Sequence, residues 1–337
     1  MRQLTYTGPN TIEWLDVPEP KLQGLNEALV RPTIVARCDV DPLIIVGRSP
    51  MPPPIALGHE FVADVVEVGK DVQSVRPGQS VIVPFQVSCG SCAYCAGGAT
   101  ASCNAIAARS AYGFGAYSGD FGGALSDLVR VPFADAMLLE LPDGVAPEAI
   151  ASADNVPDAW RSVGPFLSDN VEAPVLIVGG GAVSIGLYAA GIAVAMGSPQ
   201  VDYIDTNRER LDLAQSLGAT SIEGPPPERA GEYPITVDAS ANVGGLHCAI
   251  NSTAPEGVCT SIGIYFGETT PLPLLAMYNR GITFKTGRVN ARPALPHVLE
   301  LIRDGRFKPE KLITKRLAWE EAAGEYASRA VKLIVKR

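Results

Sequence analysis

Four of the chain's seven cysteines fall within one short stretch, CGSCAYCAGGATASC at 89–103. These four are Cys89, Cys92, Cys95 and Cys103. Short Cys-x-x-Cys steps are typical of zinc sites, in which four thiolates close a tetrahedron and leave no position for substrate. A bacterial ferredoxin run would place its fourth cysteine after three residues and follow it with proline, whereas Asn104 follows the fourth cysteine here. The stretch therefore predicts a structural zinc site, with four unligated buried thiols as the alternative.

A second stretch, VLIVGGGAVSIGLYAAGIAVAMG at 175–197, indicates a buried strand, a glycine turn and a helix of small residues. Gly179 and Gly181 supply the first two glycines of G-x-G-x-x-G, Ser184 takes the third position, and Gly186 follows. In a dinucleotide-binding turn the first glycine allows the bend and the second lets the backbone approach a pyrophosphate, which rests on the helix N-terminus. Serine is small enough to keep the helix close to the strand.

An acidic residue, Asp205, ends the next predicted strand at 201–205. A carboxylate about 20 positions after the glycines binds the adenosine ribose hydroxyls in NAD sites, where it would repel a 2′-phosphate. A helix N-cap is the alternative role of Asp205, and Arg208 and Arg210 keep NADP open as the alternative cofactor. We therefore predict NAD binding through six residues: Gly179, Gly181, Ala182, Val183, Asp205 and Arg210.

The elements around these motifs indicate two domains in the 337 residues. Further predicted strands at 234–240 and 257–267 continue the alternation of strand and helix, which is typical of a doubly wound parallel sheet over 151–289. The preceding 1–150 is rich in valine and punctuated by proline and glycine, which favours antiparallel strands and turns. We expect 290–337 to return to the first domain.

Composition narrows the classes of partner. A formal charge of -9 and a sequence pI near 5.0 argue against a nucleic-acid or anionic-membrane partner and leave small molecules. The first residues, MRQLTYTGPNTIEWLDV, contain no apolar run of signal-peptide length, so we expect a cytoplasmic protein without disulfides. Residues 173–201 carry no charge, as in a membrane span, but Pro174 and the glycine turn would break a spanning helix.

Taken together, these motifs resemble the zinc-dependent medium-chain alcohol dehydrogenases over nearly the full length. The resemblance is carried by RCDVDPLIIVG, the triplet Gly58-His59-Glu60, the four-cysteine stretch, the glycine turn with Asp205, and KLIT near the C-terminus. It implies a GroES-like, mostly β catalytic domain, with a structural-zinc lobe at about 88–104, beside a Rossmann domain. It also implies a homo-oligomer, either a dimer or a tetramer.

The resemblance further implies a catalytic zinc held by Cys38, His59 and Asp154, and thus two zinc ions per chain. Glu60 would be an exchangeable fourth ligand or a neighbour of the ligands, and Asp41 would orient His59. The expected reaction is hydride transfer between NAD(H) and an alcohol or carbonyl whose oxygen lies on the catalytic zinc. The remaining histidines and cysteines are predicted to pack in the core: His247, His297, Cys248 and Cys259.

The chain departs from this family at the proton relay. Many members carry Ser or Thr two residues after the first ligand cysteine and His five residues after it, whereas this chain has Val40 and Leu43, which cannot carry a proton. Water, Asp39 or Asp158 would then have to accept the proton. A non-catalytic protein that binds zinc and NAD is therefore one alternative.

The expected substrate pocket is apolar. It would be lined by Val40, Leu43, Phe85 and Trp160, which favours alkyl or aryl alcohols and their carbonyl products. A polyol or sugar dehydrogenase of the same superfamily remains a further alternative.

Overall fold

The structure, a computed structural model, describes all residues from Met1 to Arg337 and contains sixteen strands and eleven α-helices. The strands are β1 Arg2–Gly8, β2 Thr11–Asp16, β3 Ala28–Ala36, β4 Ile55–Ala56, β5 Glu60–Val68, β6 Ser80–Val83, β7 Val129–Val131, β8 Leu139–Glu140, β9 Val175–Val178, β10 Val201–Asp205, β11 Thr220–Glu223, β12 Tyr233–Asp238, β13 Thr253–Ser261, β14 Thr283–Lys285, β15 Ile313–Ala318 and β16 Lys332–Lys336. The helices are α1 Asp41–Ile45, α2 Ala93–Ala96, α3 Ala134–Met137, α4 Pro147–Ile150, α5 Asn155–Asp169, α6 Val183–Met196, α7 Arg208–Ser216, α8 Val243–Asn251, α9 Leu274–Arg280, α10 Ala291–Arg303 and α11 Ala322–Glu325.

The first of two compact units is mostly β and comprises Met1–Pro157, Asn290–Leu299 and Ile313–Arg337. Its larger sheet has the order β15-β16-β3-β5-β6-β8, with β7 also paired to β3. Within this sheet only β15 and β16 pair in parallel. A smaller antiparallel sheet has the order β2-β1-β4. The antiparallel strands predicted from the valine-rich alternation are therefore present.

The register of β3 against β5 brings Cys38 and His59 to the same end of the sheet. Ala36, the last residue of β3, pairs with Glu60, the first residue of β5. Cys38 follows β3 by two residues and His59 precedes β5 by one, so both lie at the same end of the sheet. Apolar side chains such as Val35 and Phe61 are fully buried on these strands, and their burial fixes the register because a one-residue slip would turn them to the other face.

The second unit comprises Asp158–Val289 and Glu300–Leu312 and contains a fully parallel sheet. Its strand order, β11-β10-β9-β12-β13-β14, is the 3-2-1-4-5-6 order of the doubly wound Rossmann fold. Every residue of β9 is buried, as expected for a central parallel strand. The predicted strand at 201–205 is confirmed. The prediction at 257–267 is wrong beyond Ser261, where the chain leaves the sheet before Gly263.

The units divide the chain differently from the predicted boundaries. The division falls after Pro157, inside α5, rather than after 150, and residues 300–312 lie in the second unit instead of the first. A helix that continues through the division gives no change of composition there, so the sequence carries no local signal for it.

No helix has the length and apolarity that crossing a bilayer requires.

Two of the four predicted core residues are misplaced. Cys248 and Cys259 are fully buried, as predicted. His297 is exposed, because α10 turns other side chains, such as Leu295 and Val298, toward the interior. His247 is only half-buried, with Nε2 3.0 Å from the carbonyl oxygen of Pro271.

Candidate active site and metal centres

Four side chains from separate parts of the sequence come together in the first unit: Cys38, His59, Glu60 and Asp154. One sulfur, nitrogen or oxygen atom from each lies within 4.8 Å of the others. Asp154 Oδ2 is 3.6 Å from Cys38 Sγ and 3.6 Å from His59 Nε2. All four residues are buried, with Asp154 the most exposed at 8%. The predicted metal-binding residues therefore form one enclosed group, which we call the catalytic cluster.

The bonding of His59 indicates that this group lacks a partner. Both ring nitrogens of His59 are buried and neither makes a hydrogen bond. Buried polar atoms are almost always paired, so the orphaned Nε2, 3.6 Å from Asp154 Oδ2, points to a ligand shared with the neighbouring donors. Thiolate, imidazole and carboxylate are the donors that zinc prefers, so the residues present fit a zinc ion.

Electrostatics gives the same indication. Burial, followed by the charges of Asp154 and Glu60, raises the pKa of the Cys38 thiol well above its usual value, against the opposing charge of Lys332. Burial lowers the pKa of His59, but the nearby carboxylates, Asp41 foremost, raise it by more than burial lowers it. The net shift of the pKa is therefore upward. These groups compete for protons because the cluster holds more negative than positive charge, an imbalance that a bound dication would relieve.

A buried cation lies behind Glu60. Lys332, the first residue of β16, has no exposed surface, and its Nζ is 3.0 Å from Glu60 Oε2 and 2.6 Å from Asn155 Oδ1. Asn155 in turn donates from Nδ2 to Cys38 Sγ at 3.2 Å. Neither residue is predicted from the sequence. Strand alternation puts Lys332 and Lys336 on the same face of β16, yet the Lys336 side chain is 61% exposed, so the pattern could not single out Lys332.

Asp41 lies beside His59, as the resemblance implies. Its Oδ1 is 3.7 Å from His59 Nδ1 and makes no hydrogen bond, while the carboxylate is fully buried at the first position of α1. A carboxylate facing Nδ1 favours the tautomer with its proton on that nitrogen, which leaves the Nε2 lone pair for a metal.

The two positions of the family's proton relay hold apolar residues, which differ in their exposure. Val40 is 9% exposed, and Leu43 is 37% exposed on α1. Two aromatic rings flank His59: its ring centroid is 4.6 Å from that of Phe114 and 5.8 Å from that of Phe85. Phe114 is not predicted from the sequence, because nothing in its local sequence sets it apart.

The remaining relay and pocket candidates are divided between the units. Asp39 is half-buried in the first unit. Asp158 and Trp160 belong to the second unit, in which Asp158 forms an ion pair with Arg161.

The four cysteines of the 89–103 lobe form the second group of possible metal ligands, with their sulfurs within 4.8 Å of one another. All are free thiols, so no disulfide closes the loop. Backbone N–H groups of Ser91 and Cys92 donate to Cys89 Sγ at 3.4 and 3.3 Å. Backbone hydrogen bonds from Cys95 and Asn104 lower the pKa of Cys92 to about 6, whereas burial raises the pKa of Cys95 to about 12. Four sulfurs at this distance fit a zinc ion, which would stabilise all of them as thiolates.

The glycine turn of the second unit is held against the neighbouring strand. Gly181 N donates to Ser240 O, and Ala182 N donates to Ala239 O, each at 2.9 Å. A Cβ on Gly179 would lie 2.5 Å from Tyr203 Oη and 2.7 Å from Asp205 Oδ2, so only glycine fits there.

The helix that follows this turn also approaches the sheet closely. Val183 begins α6. A Cβ on Gly186 would lie 2.8 Å from the Cβ of Ala239. The close contact between helix and strand therefore depends on Gly186, not only on the small Ser184 at the motif's third position.

Asp205 lies at the end of β10 beside this turn and is 4% exposed. Its Oδ1 accepts from Asn207 N at 2.9 Å, and its Oδ2 is 3.4 Å from Arg210 Nη1. Arg210 Nη1 also donates to Gly180 O at 2.9 Å, which links the turn to the carboxylate. Arg208 instead pairs with other acidic side chains and is 65% exposed. The predicted cofactor residues therefore occupy one end of the parallel sheet.

Comparisons with known proteins identify the family of the chain. Residues 24–143 match the alcohol dehydrogenase GroES-like domain. A "Probable zinc-binding alcohol dehydrogenase" of Mycobacterium tuberculosis is 30% identical over 97% of this chain and 85% of its own length. A medium chain reductase/dehydrogenase of Acremonium is 32% identical over 79% of this chain and 94% of its own length. The structure of an alcohol dehydrogenase from Thermus sp. ATN1 superposes with a TM-score of 0.88 at 29% identity, covering 100% of this chain and 99% of that one. The chain therefore belongs to the zinc-dependent alcohol dehydrogenases of the medium-chain dehydrogenase/reductase family.

Proposed function

We propose that the chain transfers a hydride between NAD(H) and an alcohol/carbonyl pair, and that it binds this substrate at the catalytic cluster. The observation that carries this proposal is the buried set of Cys38, His59 and Asp154, in which His59 Nε2 has no hydrogen-bond partner. Bound zinc and NAD would supply a Lewis acid for the substrate oxygen and a hydride acceptor, respectively.

The residues of the cluster have distinct parts in this proposal. Cys38, His59 and Asp154 hold the metal, and the two negative charges of thiolate and carboxylate balance a dication. Asp41 faces His59 Nδ1 and keeps Nε2 free of the proton. The negative charge of Glu60 is balanced by Lys332. This pairing favours a position of Glu60 behind the ligands over permanent binding of Glu60 to the metal.

Two zinc ions with different parts follow from the two ligand groups. Metal analysis of protein prepared without chelators should find both. His59→Ala should then retain the zinc of the cysteine lobe and bind NAD, but lose turnover followed by nicotinamide absorbance. Native protein with one zinc or none would contradict the proposal, as would a His59→Ala variant of undiminished activity.

We propose NAD rather than NADP as the cofactor because Asp205 presents a buried carboxylate beside the glycine turn. Arg210 is poorly placed to bind the 2′-phosphate of NADP, because its guanidinium already pairs with Asp205 and donates to Gly180 O. The helix N-terminus at Ala182 and Val183 would receive the pyrophosphate. Comparing kcat/KM for NAD and NADP tests this preference.

The surroundings of His59 support an apolar substrate. Phe85 and Phe114 flank its ring, and the family's two polar relay positions hold Val40 and Leu43. Hydroxyl-rich substrates would leave polar groups unpaired against such side chains, which is costly. Benzyl alcohol and hexanol should therefore be oxidised with higher kcat/KM than sorbitol, and the reverse order would favour a polyol dehydrogenase.

We also propose that the protein is a homo-oligomer. In the second unit α9 buries none of its residues, and Leu274, Leu275 and Tyr278 on it are 66%, 74% and 84% exposed. Exposed apolar groups of this kind mark interaction surfaces. Leu275→Lys with Tyr278→Lys should lower the sedimentation coefficient toward that of a monomer, whereas a monomeric wild type would refute the proposal.

A further inference from the structure

The carboxylate of Asp41 is gripped on the side away from His59. Tyr326, directly after α11, has no exposed surface and donates from its hydroxyl to Asp41 Oδ2 at 2.7 Å. The same oxygen accepts from the backbone N–H of Cys38 at 3.2 Å. With Oδ2 held by two donors, the other oxygen, Oδ1, is the one that faces His59 Nδ1.

The tyrosine is suited to a fixed donor role. Burial, and then the neighbouring charge of Asp41, raises the pKa of Tyr326 well above its usual value, so the phenol keeps its proton. A tyrosine side chain has only two rotatable angles, so little freedom remains once its ring is packed. The hydroxyl is thus a donor of fixed position throughout the pH range in which the enzyme would work.

The backbone around Tyr326 is itself held by the residue that precedes the first ligand. Arg37 Nη1 donates to Tyr326 O at 2.7 Å and to Ser328 O at 2.6 Å. Arg37 N also donates to Leu333 O at 2.9 Å. The end of β3 that carries Cys38 and the segment that carries Tyr326 are therefore fixed to each other by charged and neutral hydrogen bonds.

We propose that Tyr326 is a positioning residue for the catalytic metal, acting through Asp41 on His59. Its hydroxyl fixes the carboxylate so that Oδ1 keeps the His59 proton on Nδ1 and leaves Nε2 as the ligand atom. Groups that hold a ligating histidine in place typically change metal affinity by about 10- to 100-fold when removed, and Tyr326 acts through such a group, Asp41. The inference rests on the proposed function, because it needs a metal at the catalytic cluster.

Tyr326→Phe removes one oxygen atom and keeps the ring. Its matched control is Tyr112→Phe, because Tyr112 is also fully buried in the first unit but donates its hydroxyl to a backbone carbonyl, Arg130 O, at 3.0 Å. The measurements are the rate at which zinc passes to a chromogenic chelator and the visible absorption of the protein loaded with Co²⁺.

We expect Tyr326→Phe to release the catalytic zinc about tenfold faster and to shift the Co²⁺ bands, with release from the cysteine lobe unchanged. Tyr112→Phe should change neither measurement. Asp41→Asn should accelerate release as well, and adding Tyr326→Phe to it should have little further effect, because both act through one carboxylate. If Tyr326→Phe fails to fold, Asp41→Asn alone decides, and unchanged release would overturn the proposal.

The outcomes separate this inference from the proposed function. A wild type whose catalytic cluster takes up neither Zn²⁺ nor Co²⁺ would overturn both. Normal metal content in the wild type, with unchanged release and spectrum in Tyr326→Phe, would overturn only the role of Tyr326. Additive effects of Tyr326→Phe and Asp41→Asn would also overturn it, since two independent sites would then be responsible.

Discussion

Lys332 Nζ lies 3.0 Å from Glu60 Oε2, and neither side chain has any exposed surface. A buried pair of this kind gains little over apolar residues of the same volume, but it becomes costly when one partner is removed. The pair therefore makes the first unit sensitive to substitution at a lysine that is distant from the ligands in sequence.

At a pH above the pKa of Glu60, Lys332→Met should lower the free energy of unfolding by about 3 to 5 kcal/mol, because it leaves the Glu60 carboxylate buried without its cation. Adding Glu60→Gln should restore part of that loss, since no charge then remains to be buried. Lys336→Met on the same strand is the control, and its exposed side chain predicts a change within about 0.5 kcal/mol. Urea unfolding of the four proteins gives the comparison, and equal losses at both lysines would contradict it.

Glu60 also predicts a pH dependence for the metal-free protein. Burial raises its pKa from 4.5 to about 7, against the opposing charge of Lys332. The folded state therefore binds more protons than the unfolded state between these values, so this contribution to stability is complete below pH 4.5 and is lost as the pH rises through about 7. Glu60→Gln should flatten the urea midpoint across that window, and a parallel pH profile for the two proteins would refute the assignment.

Cys92→Ser should lower the stability of the protein more than an ordinary substitution does. We expect the loss of one zinc per chain and a fall of at least about 3 kcal/mol in unfolding free energy, because binding of a structural zinc is coupled to folding. Cys248→Ser, at a buried cysteine outside both ligand groups, should keep the full zinc content. A Cys92→Ser protein with unchanged zinc content and stability would rule out a structural metal in the lobe.

Asp205→Ser should narrow the preference for NAD over NADP by about 1 to 3 kcal/mol, as measured from the ratio of kcat/KM values. Loss of the carboxylate removes repulsion of the 2′-phosphate and also frees Arg210 from its ion pair. Adding Arg210→Ala should then reverse much of the gain with NADP. Asp212→Ser, at a surface position on the following helix, serves as the control. Wild-type enzyme that already prefers NADP would show that Asp205 has another role.

Restoring the family's relay residues should change how turnover depends on pH. Val40→Thr and Leu43→His together should raise the rate of the hydride step, within the roughly 10²- to 10⁴-fold that a positioned proton-transfer group contributes. The two should be coupled because a relay needs both groups, while NAD binding should stay unchanged. Rates measured against pH and in D₂O for all four variants test this. Altered KM values with unchanged pH profiles would mean that Val40 and Leu43 only shape the pocket.

Much of this organisation could be predicted from sequence because its signals are local. The parallel strand ending at Asp205, the glycine turn and the cysteine spacing each follow from residues close together in the chain. The proposed metal-binding role of Asp154 rests on a resemblance, because nothing near it in the sequence marks a ligand. Its position beside Cys38 and His59 was visible only in the folded chain.

The supporting residues could not be predicted for a different reason. Lys332 lies 272 residues from Glu60, and Tyr326 lies 285 residues from Asp41. Lys332 depends on the pairing of β16 with β3, and Tyr326 on the hydrogen bond that Arg37 donates to its carbonyl oxygen, and no periodicity reports such long-range contacts. The error beyond Ser261 and the exposure of His297 have a related origin, since tertiary packing decides where a strand ends and which face of a helix is buried.

The same pairing governs the order in which a ribosome can complete the two units. All residues of the second unit have been synthesised by Leu312, whereas the first unit still awaits β15, β16 and the side chains of Tyr326 and Lys332. Domains fold as units while the chain grows at about 5–20 residues per second, usually with the N-terminal one first. Here the unit that begins later is complete earlier, and the buried pair of Glu60 with Lys332 can form only after β16 has been synthesised.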